Sequence, residues 1–171
     1  MPKLVTVLAA VLVGFAGVAI AHDVAGEHGR EEEDAHHHLA EANGVRALHA
    51  WTRATDEKTA LVFVTIENAS GAEIRLEGAE SGVAARAELV GFRLKDGEPD
   101  FARLPFVPVK PGHVLILQPR GLAIRLSDLD HPLAKGEEIE LEFHFDSGHL
   151  PMHVQVEATD AAQHSHAGHQ H

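Results

Sequence analysis

The stretch Glu138-Ile139-Glu140-Leu141-Glu142-Phe143-His144-Phe145 places a large apolar side chain at every second position and a polar one between. Period two is the signature of a strand with one buried and one wetted face. The same alternation returns downstream, where Met152, Val154 and Val156 interleave with His153, Gln155 and Glu157. Upstream, Leu61-Val62-Phe63-Val64-Thr65-Ile66 is apolar on both faces, as a central strand requires. Short apolar runs at Val114–Leu117 and Leu122–Leu126 flank the turn residues Gln118-Pro119-Arg120-Gly121, and Lys95-Asp96-Gly97 and Lys110-Pro111-Gly112 mark further turns. No stretch of this region holds a helical period for three turns. The pattern predicts an all-β domain of about eight short strands at sandwich-like spacing.

Outside that region the composition changes. Lys3 followed by the apolar run Leu4–Ile20 and the small-x-small triplet Ala19-Ile20-Ala21 reads as a cleavable export signal over residues 1–21. The competing reading, an uncleaved membrane anchor, fits the length of the run but not its glycines or its cleavage triplet. Residues 22–43 carry five His and eight charged residues with almost no large apolar side chain, and read as a flexible acidic arm. Residues 160–171, with four more His, read as a second tail. The domain then occupies residues 44–159, and the processed chain begins at His22.

Charge and composition exclude several kinds of chemistry. With 14 Lys and Arg against 26 Asp and Glu, a net charge of -12, nothing here neutralises a phosphate backbone, so nucleic acid is not a partner. The 171 residues include no Cys, no Tyr and two Met, which excludes disulfides, thiolate metal sites and cysteine catalysis. No nucleophile elbow, H-E-x-x-H or phosphate loop is present, so no enzyme activity is expected. Any metal site must use imidazole and carboxylate, a donor set that favours Cu(II), Zn(II) or Ni(II) over Cu(I).

His22 is the residue with the most distinctive chemistry. An N-terminal His grips one ion through its α-amine and Nδ1 together, and a further imidazole completes a three-nitrogen histidine brace suited to Cu(II). The candidate ligands are His22, Asp23, His28, His49 and His153, with Asp23 a carboxylate oxygen donor and His49 the favoured residue of the domain. His49 meets the last strand if the first and last strands are neighbours. The clusters His36-His37-His38 and His164-x-His166 suit labile capture of copper, zinc or nickel. His113, beside Pro111-Gly112, and His131, before Pro132, read as loop polar groups, while His144 and His153 fall on an outward face.

The segment Leu48-His49-Ala50-Trp51-Thr52-Arg53-Ala54-Thr55, followed by a strand ending Ile66-Glu67-Asn68, resembles the opening of the periplasmic copper chaperone PCuAC family. The resemblance continues through Val109-Lys110-Pro111-Gly112, Leu117–Leu122 and Leu129–Glu137, and spans about residues 45–158. It implies a cupredoxin-like Greek-key β-sandwich or barrel, exported to the periplasm, that delivers copper to a recipient cuproenzyme or membrane copper protein. The family's usual Cu(I) ligands are two His and two Met; here the corresponding positions are Val90, Leu104 or Arg103, Ala123 and Arg125. The chain therefore looks like a variant with a brace-like Cu(II) site. Two other readings stay open: a brace-type copper oxidoreductase, and a metal-independent interaction domain with zinc- or nickel-buffering tails. Oligomeric state is not legible.

Overall fold

The structure, a computed structural model, describes residues 39–165. These residues form eleven strands and no helix: β1 (Leu39–Ala42), β2 (Val45–Arg53), β3 (Thr59–Asn68), β4 (Ile74–Glu80), β5 (Ala84–Lys95), β6 (Glu98–Arg103), β7 (Val107–Val109), β8 (Val114–Leu117), β9 (Leu122–Leu129), β10 (Glu138–Phe145) and β11 (Gly148–Glu157). The all-β expectation holds. The strands β1, β6 and β7 account for the excess of three over eight.

Pairings run β5 to β9, β9 to β3, β3 to β2, β2 to β11, β11 to β10, β10 to β4 and back from β4 to β5, so the sheet closes on itself as a barrel. Closure removes the unpaired edges that an open sheet exposes. The alternating strands point their apolar residues inward: Ile139, Leu141, Phe143 and Phe145 of β10 are all buried, as are Leu150, Met152, Val154 and Val156 of β11. Each fully buried Leu or Phe contributes about 1.5–3 kcal/mol. On β3 the even positions Val62, Val64 and Ile66 enter this core. Phe63 faces the other way and packs with Trp51, Val90 and Ala123 in a smaller cluster, its ring 4.8 Å from that of Trp51.

The first and last long strands are neighbours: β11 runs parallel to β2, with Gln155 opposite Trp51 and Glu157 opposite Arg53. The described structure continues past 44–159 at both ends, to Leu39 and Ser165. Asn43 and Gly44 take positive φ values of 53° and 75°, the two-residue turn that folds β1 antiparallel onto β2. Beyond β11, the chain turns back through the Ala161 N–H to Ala158 carbonyl bond. Backbone pairing and a few side-chain bonds hold the segments Leu39–Ala42 and 160–165 against the barrel.

Candidate metal centre

His49 lies at an irregularity in β2. The β2–β3 register shifts between Leu48 and Trp51, and His49 itself adopts φ 52°, a left-handed conformation costing a non-glycine residue about 1–2 kcal/mol. A bulge of this kind bends the strand and re-aims a side chain. The imidazole faces a cavity of about 560 Å³, lined also by Trp51, Thr65, Gln118 and His164.

His164 arrives from the C-terminal segment. Arg53 Nε donates to the Ala161 carbonyl at 2.7 Å, and the Ser165 N–H donates to Glu157 Oε1 at 2.8 Å. Held at both points, the segment buries His164 to 8% exposure and sets its ring centroid 5.6 Å from that of His49. Two imidazoles thus share one cavity wall. Leu39, the first described residue, pairs with Leu48, the neighbour of His49. His22, Asp23 and His28 precede Leu39 and lie outside the described residues, as do His36-His37-His38.

His153 has a different setting. Its Nδ1 is 3.0 Å from Glu138 Oε1, and it lines a separate cavity with Glu80 and Glu140. His113 bonds its own loop through the Pro111 carbonyl at 3.0 Å. His131 bridges Asp130 and Glu137, and both bonds raise its pKa, the Glu137 carboxylate most. Both of these follow the loop-polar reading. What sequence reasoning missed is the facing of His144 and His149 across the β10–β11 hairpin. The signal was available, since folding two alternating strands about Asp146-Ser147 puts residue 144 opposite residue 149. It also missed His164 as a domain residue, for which composition gave no signal.

The positions to which the resemblance assigns the PCuAC Cu(I) ligands lie on the paired strands β5, β6 and β9 and the residue after β6. Val90 pairs with both Ala123 and Arg103, and Glu88 pairs with Arg125. No sulfur is among them. Arg125 Nη2 donates to Glu88 Oε2 at 3.0 Å, and Arg103 Nε is 3.4 Å from Glu88 Oε1. The Arg125 hydrogen bond, foremost, holds the Glu88 carboxyl below its ordinary pKa. Val90 and Ala123 are fully buried. Met152, the second of the two Met, is enclosed in the barrel core.

The barrel and its strand order define a β-domain of the PCuAC fold. The apo PCuAC domain of PmoF2 superposes with a TM-score of 0.62 at 22% identity, covering 75% of this chain and all of that one. The copper-bound PCuAC domain from PmoF2 gives 0.60 at 20% identity, covering 71% of this chain and 98% of that one. Within that fold, the chain belongs to the family described as "Putative lipoprotein LpqE-like", whose model matches residues 45–158. A relative, the putative lipoprotein Lxx21020 of Leifsonia xyli subsp. xyli (strain CTCB07), is 26% identical over 166 residues, 95% of this chain and 94% of its own.

Proposed function

We propose that the protein is an exported copper-binding chaperone or storage protein that takes Cu(II) as cargo at His49. One observation supports this reading: His164 of the C-terminal segment packs beside His49, and Leu39, where the described residues begin, pairs with Leu48 next to it. The seventeen residue steps from His22 to Leu39 reach up to about 60 Å when fully extended, so the amine of His22 has ample length to arrive at His49. His22 supplies amine and Nδ1, His49 and His164 supply imidazole nitrogens, and Asp23 is an oxygen donor at the same terminus. His28 is a further donor from the same end of the chain, whereas His153 lines a different cavity and stays outside this set. Such nitrogen-rich, tetragonal sets suit Cu(II).

The ion is held for delivery to a cuproenzyme, and no catalytic step is assigned. The copper-bound PmoF2 domain of the same fold supports copper as the ligand. The signal-like residues 1–21 support export to the periplasm, as does the lipoprotein description of the relative, although none of the 171 residues here is a Cys that could carry a lipid. The weak capture of zinc or nickel belongs to the outlying His clusters.

The deciding experiment compares a chain beginning at His22 with one carrying a Gly before it. The added residue leaves every side chain in place but moves the amine out of chelating reach of Nδ1. The extended form is expected to bind Cu(II) more weakly, with an altered paramagnetic resonance spectrum. Identical spectra and affinities remove the amine from the site.

A further inference from the structure

A second group of donors stands on the outward face of β4, β10 and β11, away from His49. Register fixes it. His144 is directly opposite His149, Glu142 lies two residues earlier on the same face of β10, and Glu80 of β4 is opposite Glu142. The two imidazoles stack with centroids 4.4 Å apart and planes inclined by 21°. His149 Nδ1 lies 2.7 Å from Glu142 Oε1. His144 Nε2 is buried and makes no hydrogen bond; its nearest carboxylate oxygens are Glu80 Oε2 at 3.7 Å and Glu142 Oε1 at 3.8 Å.

One ligand atom each from Glu142, His144 and His149 lie within 4.8 Å of one another. Opposite His144 on β4 stands Gly78, so no side chain crowds the imidazole from that strand. The ion-pair partners of Glu80 and Glu142 here are imidazoles rather than Lys or Arg. Glu138 and Glu140 extend the acidic row along β10 and raise the local concentration of cations.

We propose that Glu142, His144 and His149 form a Zn(II) site, with Glu80 closing the fourth position. Zinc takes nitrogen at about 2.0–2.1 Å and carboxylate oxygen at about 2.0–2.2 Å, which sets tetrahedral donors about 3.3 Å apart. The separations of 2.7, 3.7 and 3.8 Å bracket that value, so small side-chain rotations suffice. An ion there gives the buried His144 Nε2 a partner and offsets the mutual repulsion of Glu80 and Glu142. Because the donors sit on three hydrogen-bonded strands, little chain ordering is needed on binding, unlike capture by a flexible His tract.

The test uses the full chain and zinc chloride. The ring ¹⁵N signals of His144 and His149 are followed as zinc is added, and bound zinc is counted by equilibrium dialysis for the parent, His144→Gln/His149→Gln and Glu142→Gln. Both ring signals are expected to shift with the first equivalents, and the double variant is expected to bind one zinc fewer. Glu142→Gln, which keeps the size of the side chain, is expected to require more zinc for the same shift and serves if the double variant fails to fold. Signals that stay in place while the terminal imidazoles respond, or an unchanged stoichiometry in the double variant, overturn the site. An unchanged zinc response in Glu142→Gln also overturns it. His49→Ala leaves this response intact, so the zinc and copper readings fail separately.

Discussion

The imidazoles of His49 and His164 lie 5.6 Å apart, with planes inclined by 52°, although one comes from the first long strand and the other from beyond the last. That contact makes the C-terminal segment part of the His49 site. His49→Ala and His164→Ala are each expected to weaken the tightest Cu(II) binding by about tenfold or more, equivalent to about 1.4 kcal/mol. Deleting residues 160–171 is expected to reduce both capacity and the tightest affinity. Competition titration against a Cu(II) chelator reads all three, and full retention of tight binding by His164→Ala removes that residue from the site.

The ion pair of Glu88 with Arg125 and Arg103 places two guanidinium charges where the PCuAC resemblance locates the soft-metal ligands. A cation entering there meets like charge, buried hydrocarbon and no thioether. The protein is therefore expected to bind Cu(II) at least as readily as Cu(I). Parallel titrations with chelators for each oxidation state decide it, and a tight 1:1 Cu(I) complex without a Cu(II) complex contradicts it.

His131 confers a pH dependence whose sign is fixed by the shifts. Glu137, then Asp130, raises the His131 pKa above 6.5, so this contribution to stability is complete below 6.5 and is lost as pH climbs through the raised value. His131, then the Ala134 N–H, lowers the Glu137 pKa below 4.5, so that contribution is present above 4.5 and is lost as pH falls through the lowered value. The pair stabilises the fold most between these limits. His131→Gln is expected to flatten the alkaline side of a plot of melting temperature against pH; an unchanged profile refutes the assignment.

Asn68, 1% exposed at the end of β3, saturates its amide. Its Nδ2 donates to the Ala72 and Val109 carbonyls, both at 2.8 Å, and its Oδ1 accepts from the Ser70 N–H at 3.0 Å and the Ser70 hydroxyl at 2.6 Å. Replacement by Ala leaves these groups without their partner, at an expected cost of about 2–4 kcal/mol. Urea denaturation should show a lower midpoint at constant slope. A change below about 0.5 kcal/mol would mean that water replaces the side chain.

The barrel was legible wherever one face of a strand is wet, because burial of one face imposes period two, as at Ile139, Leu141, Phe143 and Phe145. Leu61–Ile66 was legible for the opposite reason, since both of its faces pack. The β1–β2 hairpin escaped notice because β1 offers only Leu39, Ala40 and Ala42 to burial, yet Asn43-Gly44 is a strong hairpin turn. The site was half legible. The neighbouring of first and last strands, which the sequence reading held only as a condition, is present, and His49 stood out in its segment. His164 did not, because its burial depends on bonds from Arg53 and Glu157, which no local pattern encodes.

The seam between β2 and β11 also governs when the barrel can exist. It joins strands from opposite ends of the domain, so closing it requires nearly the whole chain, and contacts of such long sequence separation form slowly. A nascent or truncated chain that lacks β11 has no seam, no Ala161 for Arg53 to hold and no His164 beside His49. Completeness of the polypeptide is in this way a precondition of the proposed copper site: a fragment ending before β11 lacks the closed seam, while the finished chain acquires its closed wall and its paired imidazoles together.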